Sequence, residues 1–121
     1  MIGKRGEADL IASQALDSSR RHAERGREAE ALYVLGEIGL STIPMDIGKS
    51  QDHYRQAMAL ADEIGLRPLL AHCHGGLGKL YRGTGDDEKA KLHLSSAAAM
   101  MREMGMGLWL ERAEAELKEL S

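Results

Sequence analysis

His72, Cys73 and His74 are the adjacent residues that could bind a metal or supply a nucleophile. A Zn²⁺ site needs imidazole or thiolate ligands that converge on one point. Residues two apart on a helix point roughly 200° away from each other, whereas a ligand pair takes a spacing of three or four. Free cysteine is also among the most buried residue types. We therefore predict that Cys73 lies in the core and that the two histidines flank it, with a His/Cys metal site as the weaker alternative.

The other candidate motifs are weaker. His22, His53 and His93 are predicted to lie on separate helices with no partner motif. The glycines of segment 75–78 lack the preceding strand and the following Lys-Ser/Thr that a phosphate loop requires. We predict no catalytic residue, no bound cofactor and no metal, and hence a protein that is not an enzyme.

The composition of the chain excludes several classes of protein. The chain has 121 residues, with 19 acidic against 16 basic side chains and a formal charge of -3. This balance provides no basic surface for nucleic acid or an anionic membrane. No apolar run approaches the roughly 20 residues of a membrane span, and no signal peptide is seen. A single cysteine fits a reducing compartment, so we expect a cytoplasmic protein.

Good helix formers dominate the sequence, and the apolar residues recur with helical spacing. The pattern predicts an all-α fold in which short connections make neighbouring helices antiparallel. Gly26, Gly65 and Gly105 are predicted to end helices, Ile43-Pro44 to stop the second, and Asp46 and Asp86 to act as N-caps. The six predicted helices span about residues 7–25, 27–40, 47–64, 67–82, 87–104 and 108–121.

The chain repeats itself with a period near 40. When it is shifted by 40 residues, identical residues coincide between segments 57–80 and 97–120. The pairs are Ala57/Ala97, Ala59/Ala99, Glu63/Glu103, Gly65/Gly105, Leu70/Leu110, Leu77/Leu117 and Leu80/Leu120. A period of this length is typical of helical-hairpin solenoids, in which each hairpin buries its apolar face against the next. The methionines of segment 100–106 are expected to fill the core, with an adaptable apolar patch as the alternative.

The segment Leu77-Gly78-x-x-Tyr81, followed by Gly85, Ala90, Leu94 and Ala97, resembles the tetratricopeptide-repeat (TPR) motif. An earlier copy matches in part, since Leu35-Gly36 and Tyr54-x-x-Ala57 are present but Gly39 and Ser50 replace the expected Tyr and Ala. The resemblance implies a TPR-like solenoid of antiparallel hairpins with a right-handed superhelix. One domain is expected over 1–121, divided into a half-repeat (1–26), two repeats (27–65 and 66–105) and a capping helix (106–121).

The amino-acid sequences of segments 53–61, 67–81 and 109–110 are similar to those of the C-terminal TPR tail of large bacterial signalling ATPases linked to nucleotide-cyclase or kinase domains. The family implies a non-catalytic scaffold that binds a protein or peptide in a concave groove lined by the first helix of each hairpin. Carried over by motif, the groove residues are Glu30, Tyr33, Glu37, His72, Gly75, Lys79, Arg82, Arg112 and Glu119. Tyr33 and Glu37 occupy positions where a Lys and an Asn would grip a C-terminal carboxylate, so that ligand is not expected.

The first helix resembles the second half of a repeat, and one of its faces therefore lacks a hairpin mate. Leu10, Ile11 and Leu16 are expected to seek cover from a second chain, giving a homodimer. Two hypotheses about the function of the chain therefore remain. One is a regulatory peptide-binding module, and the other is an oligomerisation or structural segment of a larger signalling ATPase.

Overall fold

The computed structural model describes residues 4–42 and 44–121, and Ile43 of the predicted helix stop lies outside this range. All regular secondary structure in the described residues is α-helical, which confirms the predicted all-α fold of TPR-like helical hairpins. No described helix has both the length and the apolar character needed to cross a bilayer. The helices are α1 (Lys4–Arg21), α2 (Arg25–Ser41), α3 (Ile47–Ile64), α4 (Arg67–Gly83), α5 (Asp87–Glu103) and α6 (Gly107–Glu119).

The helices form two compact units, Met1–Leu66 and Arg67–Ser121. In the first unit, α2 packs against both α1 and α3. In the second unit, α5 packs against both α4 and α6. Each unit is therefore a hairpin with one additional helix, which precedes the hairpin in the first unit and follows it in the second.

Four of the helix connections use the same turn. A residue with positive φ is followed by one whose backbone N–H donates to the carbonyl oxygen five residues earlier, as in the Schellman motif. Glycine occupies three of the four positive-φ positions, where the lack of a Cβ removes the steric cost. The positive-φ residues are Ala23 (55°), Gly65 (77°), Gly85 (84°) and Gly105 (69°).

The end predicted for the first helix is wrong. Gly26 does not end α1 but lies in the first turn of α2, and α1 ends at Arg21. The left-handed turn residue is Ala23, and the following amide, that of Glu24, donates to the Ser19 carbonyl at 2.8 Å. Ala23 stands at the same register as Gly65, so the turn keeps its place in the repeat although alanine bears a conformational cost of roughly 1–2 kcal/mol there.

The two predicted N-caps are confirmed. The Asp46 carboxylate accepts a hydrogen bond from the Lys49 amide at 3.3 Å, and the Asp86 carboxylate accepts one from the Lys89 amide at 3.2 Å. Each satisfies a backbone N–H that the first helical turn would otherwise leave without a partner.

Small residues bring α2 and α3 close together in the first unit. A Cβ placed on Gly36 would lie 2.8 Å from Cδ1 of Tyr54, so the ring occupies the space that a side chain would need. The Ser50 hydroxyl donates to the Gly36 carbonyl at 2.7 Å, and a Cβ on Gly39 would lie 3.0 Å from that of Ser50. The two departures from the motif therefore compensate each other, because Gly39 leaves room for Ser50.

The second unit has the same close approach in its TPR-like form. A Cβ on Gly78 would lie 2.6 Å from Cγ of Leu94, and Leu94 is 1% exposed. A further cluster joins Ala71, Ala97, Ala98, Met101 and Ala113, with Met100, Met104 and Met106 packed at its edge. The prediction that the methionines fill the core is confirmed for Met101, which is 3% exposed, whereas the other three are half-buried at the edge of the cluster.

Candidate functional site

Trp109 is the exposed aromatic residue of the second unit, and it lies near the start of α6. Its side chain is 41% exposed. The His72 ring of α4 meets it edge-on with centroids 4.6 Å apart and an interplanar angle of 85°. The guanidinium carbon of Arg112 lies 4.9 Å from the centroid of the indole ring. We refer to His72, Trp109 and Arg112 as the Trp109 patch, which brings two of the predicted groove residues together.

Two further predicted groove residues lie on α4. Lys79 is exposed, whereas Arg82 is half-buried and forms an ion pair with Glu119 of α6. The sequence of α4 contains three basic residues and no Asp or Glu. The ionised side chains of this helix are therefore positively charged. Among the described residues, Lys79 has no carboxylate partner.

The predicted groove residues of the first unit lie on α2 and differ in charge from those of α4. The Tyr33 hydroxyl donates to the Glu37 carboxylate at 2.6 Å, and the Tyr33 ring lies 5.8 Å from that of Tyr54 at an interplanar angle of 59°. Glu30 and Glu37 are exposed. One carboxylate oxygen of Glu37 accepts this hydrogen bond. The surface therefore presents the edge of an aromatic ring bordered by negative charge.

The three predicted self-association residues of α1 are not equivalent. Leu10 is 49% exposed and Ile11 is 65% exposed, as expected for a face without a hairpin mate. Leu16 is only 8% exposed and belongs to the core of the first unit, because it lies on the side of α1 that packs against α2. Leu16 is therefore removed from the candidate interface.

The surroundings of Cys73 make its thiol chemically unreactive. The residue is fully buried, and this burial raises the pKa of the thiol to about 12. The thiolate is the form that attacks an electrophile or binds a metal, so the buried neutral thiol is suited to neither role. The prediction that Cys73 is a core residue is confirmed.

The two histidines that flank Cys73 contact different partners. His72 touches Trp109, while Nδ1 of His74 lies 3.0 Å from Nδ1 of His93 on α5. They do not converge, as the spacing predicts. The described residues contain no group of three or more His, Cys, Asp or Glu side chains that could hold a metal ion.

The contact between His74 and His93 was not anticipated from the sequence. The ring of His93 also stacks on Tyr81, with centroids 5.5 Å apart, and Lys89 lies 5.3 Å from the Tyr81 centroid. The repeat motif contained a signal for this contact. His93 precedes Leu94, which packs on Gly78, and His74 is one helical turn before Gly78, so the register of the hairpin places the two histidines side by side.

His53 on α3 has an unusual environment in the first unit. Its Nδ1 atom is buried and has no hydrogen-bond partner among the described residues. Burial lowers the pKa of the imidazole below its ordinary value of 6.5. Asp9 and Asp52 oppose this shift, and Lys49 and Arg20 add to it. The neutral ring is therefore the form that this site favours.

Comparison with known proteins agrees with this geometry. A search of curated proteins finds no match to the chain. The family model described as Tetratricopeptide repeat matches residues 46–103, just under half of the chain. The matched segment contains α3, α4 and α5, including the close contact between Gly78 and Leu94. The match and the all-helical hairpin structure together support a tetratricopeptide-repeat domain in this chain.

Proposed function

We propose that this protein is a non-catalytic protein–protein interaction module, in which the exposed faces of α2 in the first unit and of α4 and α6 in the second unit bind a protein or peptide partner. Tetratricopeptide repeats generally mediate such interactions, and residues 46–103 match that family. The observation that carries the proposal is the Trp109 patch, because an indole that contacts His72 and Arg112 and still stays 41% exposed leaves aromatic surface available for a partner.

We propose a regulatory scaffold in the bacterial cytoplasm, related to the tail of a signalling ATPase, and a single domain made of the half-repeat, two repeats and capping helix. The internal repeat and the sequence of segments 67–81 and 109–110 support this context. The His/Cys metal site is not proposed, since His72 and His74 contact different partners and the Cys73 thiol is neutral.

Selection of binding peptides from a random library against the whole chain tests this function. The expected result is enrichment of a peptide group whose binding is lost in the Trp109→Ala variant and kept in Leu92→Ala. Leu92 is a suitable control because it is a 64% exposed apolar residue on α5, a helix to which the proposal assigns no binding face. Failure to enrich any peptide, or equal loss in both variants, would argue against the interaction module.

Self-association is a second candidate function, supported by the exposed face of α1. Ile11, at 65% exposed, and Leu10, at 49%, give α1 an apolar face that α2 does not cover. Light scattering over a range of concentrations tests it. A mass that rises toward twice 13.2 kDa, and returns to 13.2 kDa in Ile11→Glu, would support an oligomerisation segment. A concentration-independent monomer would rule it out.

A further inference from the structure

We propose that the Trp109 patch binds the side-chain carboxylate of an acidic peptide segment, with Arg112 as the residue that receives it. This inference rests on the proposed function and names the chemistry of the partner for the second unit. It concerns Asp and Glu side chains within a segment, since the residues that would grip a C-terminal carboxylate are replaced by Tyr33 and Glu37.

The position of Arg112 over the indole prepares it for a carboxylate. The guanidinium carbon lies 4.9 Å from the centroid of the Trp109 ring, and the donor edges of the group form no ion pair with a described carboxylate. Such an edge matches the two oxygens of a carboxylate in a charge-assisted pair. The aromatic contact also restricts the side chain beforehand, which reduces the entropy lost on binding.

Among the described residues, Arg112 and Lys79 lack the carboxylate partners that Arg67 and Arg82 have. Arg67 pairs with Glu103 at 3.1 Å, and Arg82 pairs with Glu119. No described carboxylate forms an ion pair with Arg112 or Lys79. Lys91 on α5 and Lys118 on α6 also form no ion pair with a described carboxylate, but of these cations Arg112 is the one that lies on an exposed aromatic ring. An acidic segment at the Trp109 patch would supply the charge that the fold does not supply to Arg112.

The start of α6 adds to the positive potential at the patch. Its N-cap, Met106, provides no side-chain hydrogen bond, and its first turn has no acidic residue. The backbone N–H groups and the helix dipole at this end favour a nearby anion. Glu111, which is exposed, directly precedes Arg112, and Glu116 lies one turn after it. The acidic segment is therefore expected at the first turn of α6, before Glu111.

Trp109 is the single tryptophan of the chain, so its fluorescence reports directly on the patch. The probe is the capped peptide Ac-Glu-Glu-Leu-Glu-Glu-NH2, titrated at low salt against its Gln counterpart. We expect the Glu peptide to change the emission saturably and the Gln peptide to have no effect. Arg112→Gln should weaken binding about tenfold, while Lys91→Gln, which removes an equal charge from an exposed site on α5, should change it less than twofold.

Quenching by iodide gives a second reading that needs no peptide. Iodide should quench Trp109 less in Arg112→Gln than in the wild type, while the neutral quencher acrylamide should act equally on both. Circular dichroism confirms that each variant is folded. Equal binding of the Glu and Gln peptides, equal weakening by Arg112→Gln and Lys91→Gln, or unchanged iodide quenching would overturn the inference. Library peptides that bind through Trp109 but are not acidic would overturn it while leaving the interaction module intact.

Discussion

His74 and His93 face each other across the hairpin of α4 and α5, with their Nδ1 atoms 3.0 Å apart and their ring centroids 5.3 Å apart. At this distance one Nδ1 must donate a proton and the other must accept it. The pair can therefore hold the hydrogen bond only while at least one of the facing nitrogens is unprotonated. Lys89, near the Tyr81 ring on which His93 stacks, adds a positive charge to the same surroundings.

The pair predicts that the two histidines are coupled in their contributions to stability. One ring donates the hydrogen bond and the other accepts it, so removing either ring removes the whole interaction. In a double-mutant cycle at neutral pH, His74→Ala and His93→Ala together should lower the free energy of unfolding by about 1 kcal/mol less than the sum of the two single changes. Urea denaturation followed by circular dichroism measures it.

The control for this experiment is His22, which is exposed in the turn after α1 and bonds to the Ser18 carbonyl rather than to His93. His22→Ala and His93→Ala should lower the free energy of unfolding by the sum of their separate effects. Additivity of His74→Ala and His93→Ala as well would mean that the contact between these two rings contributes nothing to stability.

The burial of His53 makes the free energy of unfolding depend on pH. Its pKa in the folded state lies below the ordinary 6.5 because of burial, so the folded protein binds this proton less readily than the unfolded chain. Its stabilising share is complete above about pH 6.5 and declines as the pH falls through the lower folded pKa. His53→Leu should flatten this decline and, by removing a buried nitrogen without a partner, raise the free energy of unfolding at about pH 5. A pH series of denaturant titrations tests both effects, and a variant that declines as steeply as the wild type would contradict the assignment.

The sequence predicted the helices well because their signals are local. The third helix begins after Asp46 and ends before Gly65 as predicted, and both residues act through their own backbone and side chain. The turn at Ala23 could not be found in this way, because alanine carries no signal for positive φ and the packing of α1 on α2 sets the turn. Gly26, a local signal, indicated the wrong residue.

The candidate site was predicted only in part, because its important contacts join different helices. Arg112 and His72 were chosen from the motif, but their shared contact with Trp109 depends on how α4 and α6 approach each other. The approach of His74 to His93 likewise depends on the register of a hairpin. Leu16 was assigned to an interface because helical spacing places apolar residues on one stripe without telling which part of the stripe α2 covers.

The turn at Ala23 predicts a stabilising substitution. Ala23→Gly removes the cost of holding an alanine at a φ of 55°, which exceeds the entropy that glycine adds to the unfolded chain. The free energy of unfolding should rise by about 0.5–1 kcal/mol. Gly65→Ala is the reciprocal test, because a Cβ there meets no atom within 4 Å and only the backbone strain should act, lowering stability by about 1 kcal/mol. Changes of the same sign in the two variants would contradict the shared turn.

The burial of Cys73 predicts slow reaction with thiol reagents. Since burial raises the thiol pKa to about 12, almost no thiolate exists at neutral or mildly alkaline pH. The reaction with Ellman's reagent should therefore be slow in buffer and become fast in concentrated urea, where the thiol regains solvent and its ordinary pKa. A reaction in buffer as fast as that in urea would place Cys73 outside the core.

Gly78 and Gly75 lie on the same helix and predict opposite effects of the same substitution. In Gly78→Ala the added Cβ would lie 2.6 Å from Cγ of Leu94, and the overpacking should lower the free energy of unfolding by about 1–3 kcal/mol. In Gly75→Ala the Cβ meets nothing within 4 Å, and the better helix propensity of alanine should raise the free energy of unfolding by about 0.5–1 kcal/mol.

Combining Gly78→Ala with Leu94→Ala should lower the free energy of unfolding by less than the sum of the two single changes, because the smaller residue makes room for the new methyl group. Denaturation of the four variants in urea decides the matter, and strict additivity of the two changes would show that α4 and α5 do not meet through Gly78 and Leu94.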